Sequence, residues 1–221
     1  MELLTILANR YQSDKGTNFF HRHGFSNIYH ELFYDKRESI RSILEVGIFN
    51  GASLRMWRDF FPNATIYGFD NDDSKINLTN DLPNTYTFLV DQSQRQSLIN
   101  GIQNTKCEQF DIIIDDGSHM MNHQQLTFGV LFPYVKNNGQ YIIEDLHTSL
   151  NTDIIEREGY NTTTLYMFKE YEETTKFNSV HMTSDELAYI NNNVLSVDVY
   201  GHENPYVRPS GMSITSVITK K

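Results

Sequence analysis

Short runs of β-branched and aliphatic residues recur along the chain, each closed by a glycine or an acid and followed by a segment of helical period. The runs are Ser42-Ile43-Leu44-Glu45-Val46, Thr65-Ile66-Tyr67-Gly68-Phe69, 85–90, Phe110-Asp111-Ile112-Ile113-Ile114 and Gln140-Tyr141-Ile142-Ile143. Apolar runs of this length suit strands buried on both faces of a parallel sheet. Between them, 52–61, 95–102 and 121–135 read as helices, the last with Pro133 in its final turn, where the helix stops or kinks. Asn137-Asn138-Gly139 predicts a tight turn into the fifth strand. Strand and helix in alternation predict an α/β fold with a Rossmann-like, doubly wound sheet. Further on, about 165–176 and 184–191 read as helices, and 194–200 and 212–219 alternate as strands. The connection 201–211, with Pro205 and Pro209, joins those strands as a long hairpin. The sheet is therefore expected to be mostly parallel, with an antiparallel C-terminal edge strand. Residues 1–40 form a helical lead-in and 41–221 the core of a single domain.

Composition narrows the class. At 221 residues the chain can bury a sizeable core. A formal charge of −10 and a pI near 5.2 argue against a protein that tracks nucleic-acid phosphates. With no run of eighteen apolar residues, no membrane span is expected, and Met1-Glu2-Leu3-Leu4 lacks the order of a secretory signal. Cys107 is the sole cysteine, so neither a disulfide framework nor a thiolate cage is available, and a cytoplasmic location is the default expectation.

The candidate chemistry gathers at strand ends. After the first strand, Gly47 and Gly51 flank Ile48-Phe49-Asn50 and lead into a helix, a turn that lets a ligand approach the backbone. The second strand ends in Asp70, placed to bond ribose hydroxyls. Asn71-Asp72-Asp73-Ser74 beyond it reads in part as helix capping. Asp91-Gln92-Ser93, closing the third strand, reads equally as an adenine edge or as a helix cap. The fourth ends in Asp115-Asp116-Gly117-Ser118-His119 and the fifth in Glu144-Asp145. If these strands are neighbours, their carboxylates meet at one rim, where without a cation they would repel. Asp116 and Ser118 also read as plain N-caps, and His123 and His147 rival His119 as a base. Asp115 reads as a group that orients its neighbours. Ser13-Asp14-Lys15-Gly16 reads as a turn. His21, His23 and His30 fit no familiar metal cage and read as surface or loop residues. Trp57, Phe60 and Phe61 read as core or interface.

The segments LEVGIFNGASLRMW, FFPNATIYGFD, IIIDDGSH and YIIEDLH resemble class I S-adenosylmethionine-dependent methyltransferases, and more narrowly the metal-dependent sugar O-methyltransferases that act on macrolide deoxysugars, the mycinamicin 2''-type among them. The SDKG segment and Tyr29 resemble that group's N-terminal region. The resemblance spans roughly residues 10 to 147. It implies S-adenosyl-L-methionine and Mg²⁺ as cofactors and a sugar-containing small molecule as acceptor, with no nucleic-acid or membrane partner and a homo-oligomer left open. Carried onto this chain, it assigns Asp116, Glu144 and Asp145 to the metal and His119 to the general base. Glu45, Gly47, Gly51 and Ser53 fall to the methionine part of the cofactor, Asp70 to its ribose, Asp91 to the adenine end, and Asp115 to a further cofactor contact. The alternatives are methylation of a catechol-like diol and a catalytically silent cofactor-binding subunit.

Overall fold

The structure is a computed structural model and describes residues 2–18, 23–153, 159–201 and 213–221. The core strands are β1 (Ser42–Val46), β2 (Thr65–Asp70), β3 (Thr85–Leu89), β4 (Phe110–Asp115) and β5 (Val135–Ile143), followed by β6 (Val194–Tyr200) and β7 (Thr215–Lys220). They form one seven-stranded sheet in the order β3-β2-β1-β4-β5-β7-β6. Pairings from β3 across to β5 are parallel, and β7 runs antiparallel to both β5 and β6. This is the doubly wound, mostly parallel sheet the pattern predicts. The antiparallel strand is β7, inserted between β5 and the edge strand β6.

Strand period sorts the side chains into two layers. Ile43, Ile66, Ile112, Ile114, Ile142 and Val217 face α1 (Leu3–Tyr11), α2 (Phe25–Phe33) and α3 (Ala52–Phe60), where Trp57, Phe60 and Phe61 are fully buried. Leu44, Ile113, Tyr141, Ile143 and Ile218 face the opposite layer. That layer holds α4 (Arg95–Thr105), α5 (Met121–Leu131), α6 (Thr164–Thr174) and α7 (Ser184–Asn193). Such alternation on neighbouring strands leaves a sheet apolar on both faces, as a parallel sheet covered by helices requires. Among the described residues no helix is long and apolar enough to cross a membrane.

Several boundaries differ from the pattern. The helix expected over 121–135 ends at Leu131, because Pro133 sits in a 3₁₀ turn, Phe132–Tyr134, that hands the chain straight to β5. Asn137-Asn138-Gly139 is therefore not a turn before the strand but an irregularity within it. Pairing slips between Phe110↔Val135 and Ile112↔Gln140, and Asn138 takes φ +61°. The final strand begins at Thr215, and most of the expected 201–211 connection lies outside the described residues, as does His21.

Candidate active site

The C-terminal ends of the parallel strands make one rim, and backbone bonds continue past the strands to fix it. Gly47 N–H donates to the Phe69 carbonyl at 2.8 Å, Asp116 N–H to Val46 at 2.9 Å and Glu144 N–H to Asp115 at 2.9 Å. Glycine is required at 47: its φ is +97°, and a Cβ there would overlap the Asp116 carbonyl. Neighbouring strand ends are thereby packed backbone to backbone.

Over this rim lies a cavity of about 810 Å³, walled by Gly47, Phe49, Asp70, Asp91, Gln92, Asp116 and His119 among others. Asp70 both faces it and shapes it. One carboxylate oxygen accepts from Ile48 N at 2.8 Å and Phe49 N at 3.3 Å, and the other from Asp72 N at 2.9 Å. Phe49, standing where dinucleotide-type turns carry glycine, holds φ +50° and is 68% exposed at the lip. Asp91 accepts from Ser93 N at 2.9 Å, so it is a turn-former as well as a wall residue. The helix-cap reading of that segment does not hold: α4 begins at Arg95 with Gln94 at its N-cap and no side-chain cap bond, and Asp91 closes the turn before it.

Other expected cofactor residues stand behind the wall. Glu45 is fully buried and accepts from Ser53 Oγ at 2.7 Å. Ser53 lines a small side pocket with Asp14 and Asn50, while Gly51, at φ +77°, starts α3. Asp115 is buried beneath the turn that presents Asp116. Gln92 braces that turn, donating to Asp115 at 2.5 Å and accepting from Ser118 N at 2.9 Å. Burial pushes Asp115 up to about 7 against the hydrogen bonds from Gly117 and Gln92.

The acids of β4 and β5 do converge. An oxygen of Asp116, an oxygen of Asp145 and a ring nitrogen of His119 lie within 4.8 Å of one another. Asp145 Oδ2 is 3.5 Å from His119 Nε2, and Asp145 Oδ1 is 3.5 Å from His147 Nδ1 and 3.8 Å from His23 Nδ1. Yet Asp145 Oδ1 is buried and has no hydrogen-bond partner among the described residues. His119 and Asp145 both occupy left-handed backbone, φ +55° and +54°, a conformation that non-glycine residues hold at a cost. Burial lowers the His119 imidazole, with Asp145 pulling the other way, so the ring is neutral at pH 7. An orphaned buried carboxylate oxygen beside a second carboxylate fits a divalent cation.

Glu144 stands one step back. Its oxygens are taken by Tyr29, whose hydroxyl donates at 2.8 Å, and by the Lys15 ammonium at 3.1 Å. Burial pushes Glu144 up to about 8, Lys15 opposing and Asp145, Asp14 and Glu45 adding to the rise. Lys15, within the segment read as a turn, is fully buried. It contacts Asp116, Glu144 and Glu45, with Asp14 at 4.0 Å. Burial alone would push the ammonium down, but Asp116, Glu144, Glu45 and Asp14 raise it well above its ordinary value. His23 is a loop residue, as expected, just ahead of α2, but it is turned inward: it stacks on Phe25 at 5.4 Å and faces Asp145 at the rim. His30 packs against Tyr34 at 4.6 Å, away from these acids. The SDKG resemblance marks the segment of Lys15 without giving the lysine a role, and nothing local marks His23. Only the pairing of the 13–18 loop with the start of α2, through Ser26 N to Lys15 O at 2.9 Å and His23 N to Asp14 O at 2.8 Å, brings them to the rim.

A sheet in this order, with a glycine turn after β1, an acid ending β2 and the crevice over the strand ends, is the methyltransferase Rossmann-like fold. No family model matches the chain. Its homologues are sugar O-methyltransferases of macrolide and tetracenomycin pathways, as the motifs imply. The chain is 36% identical over 154 residues to mycinamicin VI 2''-O-methyltransferase of Micromonospora griseorubida, covering 66% of this chain and 36% of that protein. It is 33% identical over 162 residues to demethylmacrocin O-methyltransferase of Streptomyces fradiae, covering 66% and 37%. MycE methyltransferase of the mycinamycin pathway, solved with Mg, SAH and mycinamycin VI, superposes with a TM-score of 0.74 at 28% identity, over 98% of this chain and 54% of that one. The chain thus spans little more than a third of the length of the curated relatives it matches.

Proposed function

We propose that this chain transfers the methyl group of S-adenosylmethionine to a hydroxyl of a sugar borne by a larger glycoside, with Mg²⁺ required. The observation that carries the reading is the meeting of Asp116, Asp145 and His119 within 4.8 Å at the rim of a cavity whose far wall is the glycine turn and Asp70. The relatives named above supply the sugar class and the methyl donor.

Each residue then has a physical task. Gly47 and the amides fixed by Asp70 let the cofactor lie against the backbone, with Asp70 toward the ribose and Asp91 and Gln92 toward the base. Asp116 and Asp145 hold the cation, with Glu144 as the third carboxylate of the set. When bound, the ion stabilises the alkoxide character that a sugar hydroxyl develops as it attacks. His119, neutral and partly exposed to the cavity, takes the hydroxyl proton at Nε2, and Asp145, 3.5 Å away, stabilises the imidazolium so formed. In-line attack forms the carbon–oxygen bond as the carbon–sulfur bond breaks, and the fold contributes mainly proximity and alignment. A cytoplasmic setting suits Cys107, which forms no disulfide.

The test is methyl transfer onto a panel of glycosides, read by mass. Activity is expected to vanish with chelator and return with Mg²⁺, while S-adenosylhomocysteine still raises the melting temperature without metal. Turnover indifferent to chelator would reject the metal role. His119→Ala should bind cofactor normally and lose turnover by about a hundredfold or more, as removal of a general base does.

A further inference from the structure

Lys15 has no part in the chemistry above, yet among the described residues it is the one ammonium placed against Asp116 and Glu144. Its side chain is 0% exposed. Its Nζ contacts Asp116 Oδ2, lies 3.1 Å from Glu144 Oε2 and 3.3 Å from Glu45 Oε1, and reaches Asp14 Oδ1 at 4.0 Å. The position is built. Ser26 N donates to the Lys15 carbonyl at 2.9 Å, Gly16 N to the Ser13 carbonyl at 3.0 Å, and Asn9 Oδ1 accepts from Thr17 N at 2.8 Å. A Cβ on Gly16 would strike Asn9 Oδ1 at 2.5 Å, so the loop is packed tightly on α1. Desolvating a lysine is costly unless its charge is met, and here it is met by carboxylates that would otherwise repel one another.

We propose that Lys15 is a resident cation that competes with the divalent ion for Asp116 and Glu144, and so sets how tightly this chain holds its metal. The inference rests on the metal reading above. Glu144 has no free oxygen while Lys15 and Tyr29 hold it. The ammonium keeps other partners when an ion arrives, since Glu45 lies 3.3 Å and Asp14 4.0 Å from it. Without metal, Lys15 keeps the buried acids from driving the rim apart. With metal, part of the binding free energy is spent on displacing it. Lys15 is thus a positioning residue, acting on the acids and never on the acceptor.

The experiment uses the full chain with Mn²⁺ as a paramagnetic probe of the Mg²⁺ site, its free concentration read by electron paramagnetic resonance, together with thermal unfolding with and without Mn²⁺. Two neutral variants are compared, Lys15→Met and Lys15→Gln, along with Lys15→Arg, which keeps the charge. Both neutral variants are expected to bind Mn²⁺ at least about tenfold more tightly than wild type, because removing an adjacent like charge favours the ion. Both should melt lower without metal and recover with it. Lys15→Arg should stay within about threefold of wild-type affinity, since its charge is retained. A merely structural lysine would lower the melting temperature without tightening Mn²⁺ binding. Folded neutral variants with equal or weaker Mn²⁺ affinity overturn the proposal. So does failure of both to fold even at saturating Mn²⁺, because an ion that takes the ammonium's place would restore the fold. If no variant, wild type included, binds Mn²⁺, the metal reading itself falls and this inference goes with it; ordinary binding unchanged by charge at position 15 removes the inference alone.

Discussion

Asp70 joins two duties in one carboxylate, since the oxygens that face the cavity also accept from the amides of Ile48, Phe49 and Asp72. Replacing it by alanine removes the acceptor that holds the glycine turn in shape. Asp70→Ala is expected to weaken S-adenosylhomocysteine binding by about 2 kcal/mol, roughly thirtyfold, the scale of lost hydrogen bonds to a charged group. Titration calorimetry well below the melting temperature checks it, and unchanged affinity would remove Asp70 from the binding wall. Gly47 is constrained more sharply. Gly47→Ala combines a positive φ with a clash against the Asp116 backbone, and should cost about 2–4 kcal/mol in urea unfolding. The need for Gly47 and the place of Asp70 were both legible in the sequence, because a strand, a glycine and a distant acid form a local grammar. The left-handed backbone of His119 and Asp145 was not. No residue type announces it, and it follows from the way two strand ends must turn to bring their side chains together.

At the scale of elements, Asp111 ties the beginning of β4 to both neighbouring strands, its Oδ2 accepting from Arg41 N at 2.8 Å and Ser42 N at 2.9 Å at the start of β1 and from Lys136 Nζ of β5 at 2.9 Å. Burial would raise this carboxyl, but Lys136 and the amides of Arg41 and Ser42 outweigh it and hold it below its ordinary value. Asp111→Asn should therefore cost about 1.5–3 kcal/mol at neutral pH. The sign with pH follows from the depressed value. The stabilisation is fully present above the unfolded carboxyl's value of about 3.9 and is lost as pH falls through the lower folded one. The gap in stability between wild type and Asp111→Asn, followed by urea unfolding, should hold steady above about pH 5 and narrow below about pH 4. A gap that widens in acid would contradict this account. Elements whose identity rests on a run of side chains were readable in advance, as Phe110–Asp115 shows. The irregularity at Asn137-Asn138-Gly139 was not, because a turn within a strand and a turn before one use the same residues. Lys15 was hidden for a related reason. Its neighbours spell a turn, and its burial is decided by acids contributed from β1, β4 and β5.

Across the whole molecule, the lead-in helices reach the chemistry through Tyr29. This residue of α2 is fully buried, its ring tilted against Trp57 of α3 at 5.9 Å. Its hydroxyl donates to Glu144 at 2.8 Å and lies 3.2 Å from Thr215 Oγ at the start of β7. Thr215 in turn donates to the Ile143 carbonyl at 3.1 Å, closing the end of β5. One hydroxyl thus ties the N-terminal layer, the acidic tip of β5 and the antiparallel strand into a single arrangement. Tyr29→Phe keeps the ring packing and removes only that link. Losing a buried hydrogen bond to a carboxylate should cost about 1.5–3 kcal/mol, and so lower the melting temperature by roughly 3–10 °C for a chain of this size. Thr215→Val alone should cost about 1 kcal/mol, and the double variant less than the sum of the two, since both act on one network. Additive losses would mean that Tyr29 and Thr215 stabilise the protein independently, and that no shared network runs through this hydroxyl.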